Sequence, residues 1–230
     1  MTERLAPLIA IIGTDGSGKS TLAADVAAAL GQQRRVAHIY LGLGSGPLGQ
    51  RISALPLVGP LLGGFFNQKA DRTRDKGDRI PGLATALVVY AFSRRRKARF
   101  DRMMRLRRDG VTIITDRYPQ VEIPGFYDGP GLSAARAEGM LVRRIAAREA
   151  ALYHEMAAHI PTLVIRLNID VDTALARKPD HARGLIEQKV AVTPLLRFNG
   201  APIIEVDATI AYDEEVRLTL QAIDQALSAA

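Results

Sequence analysis

An α/β fold, with a five-stranded parallel sheet and helices on both faces, follows from two features of the 230-residue sequence. Five short apolar runs recur at 8–12, 36–41, 111–115, 162–167 and 202–206, with helical or loop segments between them. Alternation of this kind pairs strands in parallel and covers both faces of the sheet with crossover helices. The first run also enters the stretch Gly13-Thr-Asp-Gly-Ser-Gly-Lys-Ser20, which fits G-x-x-x-x-G-K-[ST], and an Ala/Leu-rich helix leaves it over 21–30. A strand, a glycine-rich turn and a helix in that order place an anion at a helix N-terminus.

Each fixed position of that turn has a physical role. Gly13, Gly16 and Gly18 let the backbone wrap closely and turn its N–H groups onto phosphate oxygens, so the loop residues Asp15, Ser17 and Thr21 are also expected at the nucleotide. Lys19 supplies a cation for the β- and γ-phosphates, and the Ser20 hydroxyl ligates Mg2+. The stretch therefore predicts a bound nucleoside triphosphate.

The remaining elements are legible in order. A helix is expected over 133–159, after a Gly-Pro-Gly turn and before Pro161. Asp172 is a natural N-cap for a short helix over 173–177, and Val216, Leu220, Ile223 and Leu227 mark an amphipathic final helix over 212–227. The region 42–81 is rich in Gly and Pro and carries no clear period. A chain of this length suits one domain over 1–230.

Composition narrows the class. The absence of cysteine excludes a disulfide framework and a thiolate metal site, and fits a reducing, cytoplasmic setting. No N-terminal segment resembles a secretory signal, and the apolar stretches 52–66 and 83–92 fall short of a bilayer span. The net charge is +7 and the pI near 10.0. Much of the excess lies in Arg94-Arg-Arg-Lys-Ala-Arg99 and onward to Arg108. On a helix these positions run almost all the way round, so one edge faces something other than bulk water. No aromatic residues interleave with the run as a single-strand-binding surface wants, so nucleic acid is not expected as the partner.

Ligands of parallel sheets bind at the carboxyl ends of the strands. Asp116-Arg117-Tyr118 follows the third run directly. A carboxylate there suits a Mg2+-bound water, and the neighbouring guanidinium suits a bidentate clamp on an acceptor phosphate or oxyanion.

On these residues the chain resembles the thymidylate kinase family of P-loop nucleoside monophosphate kinases. Gly13, Asp15, Gly16, Gly18, Lys19, Ser20 and Thr21 match that family's loop, G-x-D-G-x-G-K-[ST]-T. Asp116, Arg117 and Tyr118 match its D-R-Y, and Ala174, Leu175, Arg177 and Lys178 match its lid motif A-L-x-R-[KR]. Asp207-Ala208 followed by Asp213-Glu-Glu215 match its last strand and acidic helix. The resemblance implies a P-loop kinase acting on ATP with Mg2+ held by Ser20 and Asp116. It assigns catalysis to Lys19, Arg117, Asp15, Arg177 and Arg183, with a lid at about 176–190 folding Arg177 and Arg183 over the ATP phosphates. Asp15, Arg117 and Tyr118 fall on the acceptor side by the same resemblance. Tyr90 and Arg94 do too, by likeness to the family's aromatic-then-arginine helix.

The acceptor side departs from the family. Tyr40-Leu-Gly-Leu-Gly-Ser-Gly46 stands where the family has T-R-E-P-G-G-T, and 119–130 replaces S-x-x-A-Y-Q-G. The expected reaction is thus transfer of the γ-phosphoryl group to a small-molecule acceptor, either a nucleotide or a sugar or polyol or its phosphate. Rewritten members of this kind resemble kinase-like proteins of bacterial surface-polysaccharide pathways. The basic run and the apolar stretch 52–66, part of an acceptor-side insert at about 42–81, add the expectation of peripheral contact with the inner membrane. A homodimer is a further expectation. The alternative function is a catalytically reduced ATP-binding module in a polysaccharide or nucleic-acid assembly. A guanine-nucleotide switch is disfavoured, because no apolar strand leads into Asp128-Gly-Pro-Gly131 and no N-K-x-D sequence follows it.

Overall fold

A computed structural model describes residues 5–43, 82–134 and 137–228. The five runs form β1 (Leu8–Gly13), β2 (Val36–Tyr40), β3 (Thr112–Asp116), β4 (Leu163–Asn168) and β5 (Ile203–Asp207). They pair in parallel throughout, in the order β2-β3-β1-β4-β5. The helices are α1 (Lys19–Gly31), α2 (Leu83–Arg108), α3 (Met140–Ala157), α4 (Val171–Arg177), α5 (Arg183–Val192) and α6 (Tyr212–Ser228).

The two-residue period of β1 divides the interior into two half-cores. Leu8, Ala10 and Ile12 face a layer containing Phe100, Met103 and Met104 of α2 and Tyr153 and Met156 of α3. Ile9 and Ile11 face the opposite layer, built from Leu22, Ala23 and Val26 of α1, Ala174 of α4, Ile186 of α5 and Ile223 of α6. Because β1 is central and buried on both sides, the loop that follows it is anchored by a strand packed on both faces.

Two helix expectations need correction. The helix over 133–159 is instead a 3-10 turn at Leu132–Ala134 followed by α3 from Met140, because Gly139 at φ 83° breaks the helical path. The N-cap of α4 is Asp170 rather than Asp172. The Asp170 carboxylate accepts from the Thr173 backbone N–H at 2.8 Å, whereas Asp172 lies in the first turn and meets Arg183. Most of the Gly/Pro-rich region, with the expected insert and its apolar stretch, lies outside the described residues.

The arginine run falls in α2, and its inner edge is buried. Arg96 is fully buried and donates to the Leu41 and Asp128 carbonyls, the Asp128 carboxylate and the Tyr153 hydroxyl. Arg107 is buried and donates to the Ala6 carbonyl, and Arg99 donates to the Tyr40 and Gly42 carbonyls at 3.1 and 2.7 Å. Buried Glu149 accepts from Ser93 Oγ and from the backbone N–H groups of Gly131 and Leu132, at 2.7 to 3.1 Å. A buried charge is tolerable when its hydrogen-bonding capacity is met in this way. The arginines thereby tie the end of β2 and the 119–131 loop to α2.

Phe100 is 1% exposed, and its ring centroid lies 6.0 Å from that of Tyr118 and 5.5 Å from that of His159. Phe100→Ala should lower the free energy of unfolding by about 3–5 kcal/mol. Arg102→Ala, on the exposed face of the same helix, should change it by no more than about 0.5 kcal/mol. Urea unfolding curves measure both, and a wild-type midpoint for Phe100→Ala would contradict this packing.

Candidate active site

The loop between β1 and α1 bends through glycines in backbone conformations that other residues adopt with strain. Gly16 has φ 90° and Gly18 has φ 83°. At Gly16 space is also limiting, since a Cβ there would stand 2.8 Å from the Ala174 carbonyl oxygen of α4. The Ser17 N–H donates back to the Thr14 carbonyl at 3.1 Å, which closes the turn.

Asp15 is the most heavily partnered side chain of the loop. Its Oδ1 lies 3.4 Å from Lys19 Nζ and 3.3 Å from Arg117 Nη2. Its Oδ2 accepts a hydrogen bond from Lys189 Nζ and lies 3.8 Å from His181 Nε2. Burial pushes the Asp15 carboxyl upward, but Lys189, Lys19 and Arg117 outweigh burial and hold it well below the usual carboxylate range. The Lys19 ammonium is shifted downward, first by burial and then by Arg117. It also donates to the Thr14 carbonyl at 3.3 Å.

Arg117 reaches Asp15 through an unusual backbone. Its φ is 71°, left-handed for a residue with a side chain, and a conformation of this kind costs on the order of 1–3 kcal/mol. Its N–H donates to Ile11 of β1 at 3.1 Å, and Thr115 Oγ1 donates to its carbonyl at 3.1 Å. The other side of the guanidinium faces Asp128 Oδ2 at 3.6 Å. Asp128 is held in turn by Arg96, so a chain of alternating charges runs from the loop through Arg117 and Asp128 into the interior. Burial opposes the charge on Arg117, but Asp128 and Asp15 raise its pKa.

Ser20 Oγ donates to Asp116 Oδ2, so the hydroxyl and carboxylate expected at the metal are adjacent. Asp116 is 1% exposed, and its Oδ1 has no hydrogen-bond partner among the described residues. A buried, unsatisfied carboxylate oxygen beside a hydroxyl fits a hard divalent cation that keeps most of its water shell. Arg177, the last residue of α4, donates to the Gly16 carbonyl at 3.2 Å, which places it over the loop.

Other expected positions lie elsewhere. Arg183 is exposed and pairs with Asp172 and Glu187, at 2.7 and 3.7 Å, instead of meeting the loop. Tyr118 is a core residue: its ring packs on Phe100 and Phe198 and its hydroxyl donates to the His159 carbonyl, which leaves no open edge for an acceptor. Tyr90 packs against the Ala86, Val89, Leu132, Val142 and Ile145 cluster. Arg94 is exposed, and Arg96, two residues on, is the arginine that turns inward.

Lys189, His181, Asp128 and Arg96 were not expected at the site. Lys189 had a readable signal, because it is three residues from buried Ile186 and four from buried Thr193, on the inner face of α5. Asp128 had none, since it sits in a Gly/Pro-rich loop with φ 65°.

A phosphate-binding loop after the central strand of a 2-3-1-4-5 parallel sheet defines a P-loop NTPase of the nucleotide kinase fold. The structure of a deoxyadenosine kinase from M. mycoides with bound dATP is similar to it, with a TM-score of 0.56. That likeness covers 94% of this chain and 98% of the kinase, at 15% identity. The chain belongs to the family of the Escherichia coli K12 proteins YghS and YghR, each described as an uncharacterized ATP-binding protein. It is 46% identical to YghS over 222 residues, spanning 96% of this chain and 94% of YghS. It is 42% identical to YghR over 217 residues, spanning 94% of this chain and 86% of YghR. No protein-family model matches the chain.

Folding lowers the Asp15 pKa, so the fold gains stability from the ionised carboxylate. Its cluster stabilises the fold fully above the ordinary carboxylate range and loses that contribution as pH falls toward the lower folded value. The stability difference between the wild type and Asp15→Asn should therefore shrink below about pH 4. Unfolding curves taken through that range check this, and a constant difference would contradict it.

Proposed function

We propose that the protein is an ATP-dependent phosphotransferase that moves the γ-phosphoryl group of Mg-ATP to a small-molecule acceptor, in the manner of thymidylate kinases. The observation that carries this reading is the position of Asp15. The same carboxylate touches Lys19, which serves the ATP phosphates, and Arg117, which faces the acceptor side. The names of YghS and YghR as ATP-binding proteins support the donor.

Ser20 and Asp116 would hold Mg2+, which when bound supplies positive charge to the phosphate oxygens. Lys19 and Arg177 neutralise charge on the transferred group, and Arg117 orients the acceptor oxygen in line with it. A new bond forms from that oxygen to the γ-phosphorus while the bond to the β–γ bridging oxygen breaks, releasing ADP. Such transfer depends on positioning and charge neutralisation more than on covalent catalysis. Despite burial, Asp15 is held well below the usual carboxylate range by Lys189, Lys19 and Arg117; it keeps these cations in register, and a proton carried by the acceptor passes to solvent.

The altered stretches at 40–46 and 119–130 favour a sugar, a polyol or its phosphate over thymidine monophosphate as acceptor, as in surface-polysaccharide assembly. A screen of nucleotides, free sugars and sugar phosphates, scored by ADP release, tests this. We expect one class to stimulate turnover, and Lys19→Ala to lower the stimulated rate at least about 100-fold. Full activity in Lys19→Ala would overturn the assignment. Tight ATP binding with no stimulation by any acceptor would favour the binding-module alternative.

A further inference from the structure

Among the described residues, the outer face of the α2–α3 layer brings exposed apolar and basic side chains together. The two helices run parallel. Ala86 and Val89 share a cluster with Val142 and Ile145, Ser93 meets Glu149, Arg96 meets Tyr153, and Lys97 meets Glu155. Both helices pack on the same side of the sheet. Their outward positions therefore form one continuous face, with the two N-terminal ends side by side.

That face has two zones. At the N-terminal ends four large apolar side chains are exposed: Leu83 at 41%, Leu87 at 50%, Met140 at 73% and Leu141 at 58%. Beyond them lie seven exposed arginines, Arg94, Arg95, Arg102 and Arg105 of α2 and Arg143, Arg144 and Arg148 of α3. None of the seven is in an ion pair among the described residues, whereas Asp101 and Glu155 beside them are both drawn to Lys97. Glu138 and Asp109 stand only at the margins. Neither helix has an acidic residue in its first turn.

From this juxtaposition of an apolar tip and an unpaired basic flank we infer that the α2–α3 face docks on an anionic lipid surface. Leu83, Leu87, Met140 and Leu141 enter the headgroup boundary, and the arginines meet lipid phosphates. Amphipathic surfaces of this build bind bilayers through buried apolar area combined with attraction to anionic headgroups. A second copy of the chain suits the face poorly, because a two-fold contact would set arginines against arginines. A nucleic acid would leave the apolar tip unpartnered, and no aromatic side chain is exposed on these helices for a base to stack on. Docking of this face does not depend on phosphoryl transfer.

The full chain is sedimented with vesicles of phosphatidylcholine alone or with about a third phosphatidylglycerol. Binding should be at least about tenfold tighter to the anionic vesicles and should weaken as salt is raised. Replacing Arg95, Arg102, Arg144 and Arg148 together with Gln should remove that preference. Leu87→Ser with Leu141→Ser should leave low-salt binding but abolish the part that survives high salt. All six residues are exposed, so unchanged urea midpoints will establish that both variants fold. Equal binding to neutral and anionic vesicles, or an unaffected arginine variant, would overturn the inference. So would a solution dimer that the arginine variant dissociates, or tighter binding of a single-stranded oligonucleotide than of anionic vesicles.

Discussion

Three elements far apart in the sequence converge on the Asp15 carboxylate. The loop supplies Lys19, the end of β3 supplies Arg117, and α5 supplies Lys189, with His181 from the turn before α5 close by. Cations this close repel one another, and burial strengthens the repulsion by removing water. One carboxylate in their midst offsets that cost and fixes Lys19 and Arg117 relative to each other. Without it, Lys19 and Arg117 would have no shared partner in the loop, and α5 would lose its charged contact with the loop.

The scaffold explains why this convergence is possible. β1 is sandwiched between β3 and β4, so its loop, the D-R-Y turn and the β4–α4 connection all emerge at the same edge. The alternation of Leu8, Ala10 and Ile12 with Ile9 and Ile11 fastens that edge to both half-cores. Arg96 and Asp128 then extend the electrostatic chain inward, so the orientation of Arg117 is set from beneath by the α2 layer as well as from Asp15. A guanidinium held from two sides has fewer orientations to lose when it engages an anionic group.

The strands were legible to within about one residue because the buried strand β1 is apolar along almost its whole length, and the partly exposed edge strands β2 and β5 still begin on apolar residues. The loop was legible because its glycines and Lys19 follow a pattern imposed by phosphate geometry. The long helix was misjudged at its start, since Gly139 breaks the helix inside an otherwise helical composition. Side-chain direction was the harder quantity. Arg94 and Arg96 are chemically identical in the sequence, and only the phase of α2 against its neighbours decides which one turns inward. Asp128 and His181 lie in turns, where no period exists to predict which way they face.

The central claim, that Asp15 couples the loop to α5, is tested most directly by a double-mutant cycle on Asp15 and Lys189. Unfolding free energies of Asp15→Asn, Lys189→Met and the double variant, at neutral pH and low salt, yield their interaction energy. A directly bonded, partly buried pair should show a coupling of about 1 kcal/mol or more. Effects that add to within about 0.3 kcal/mol would contradict the account.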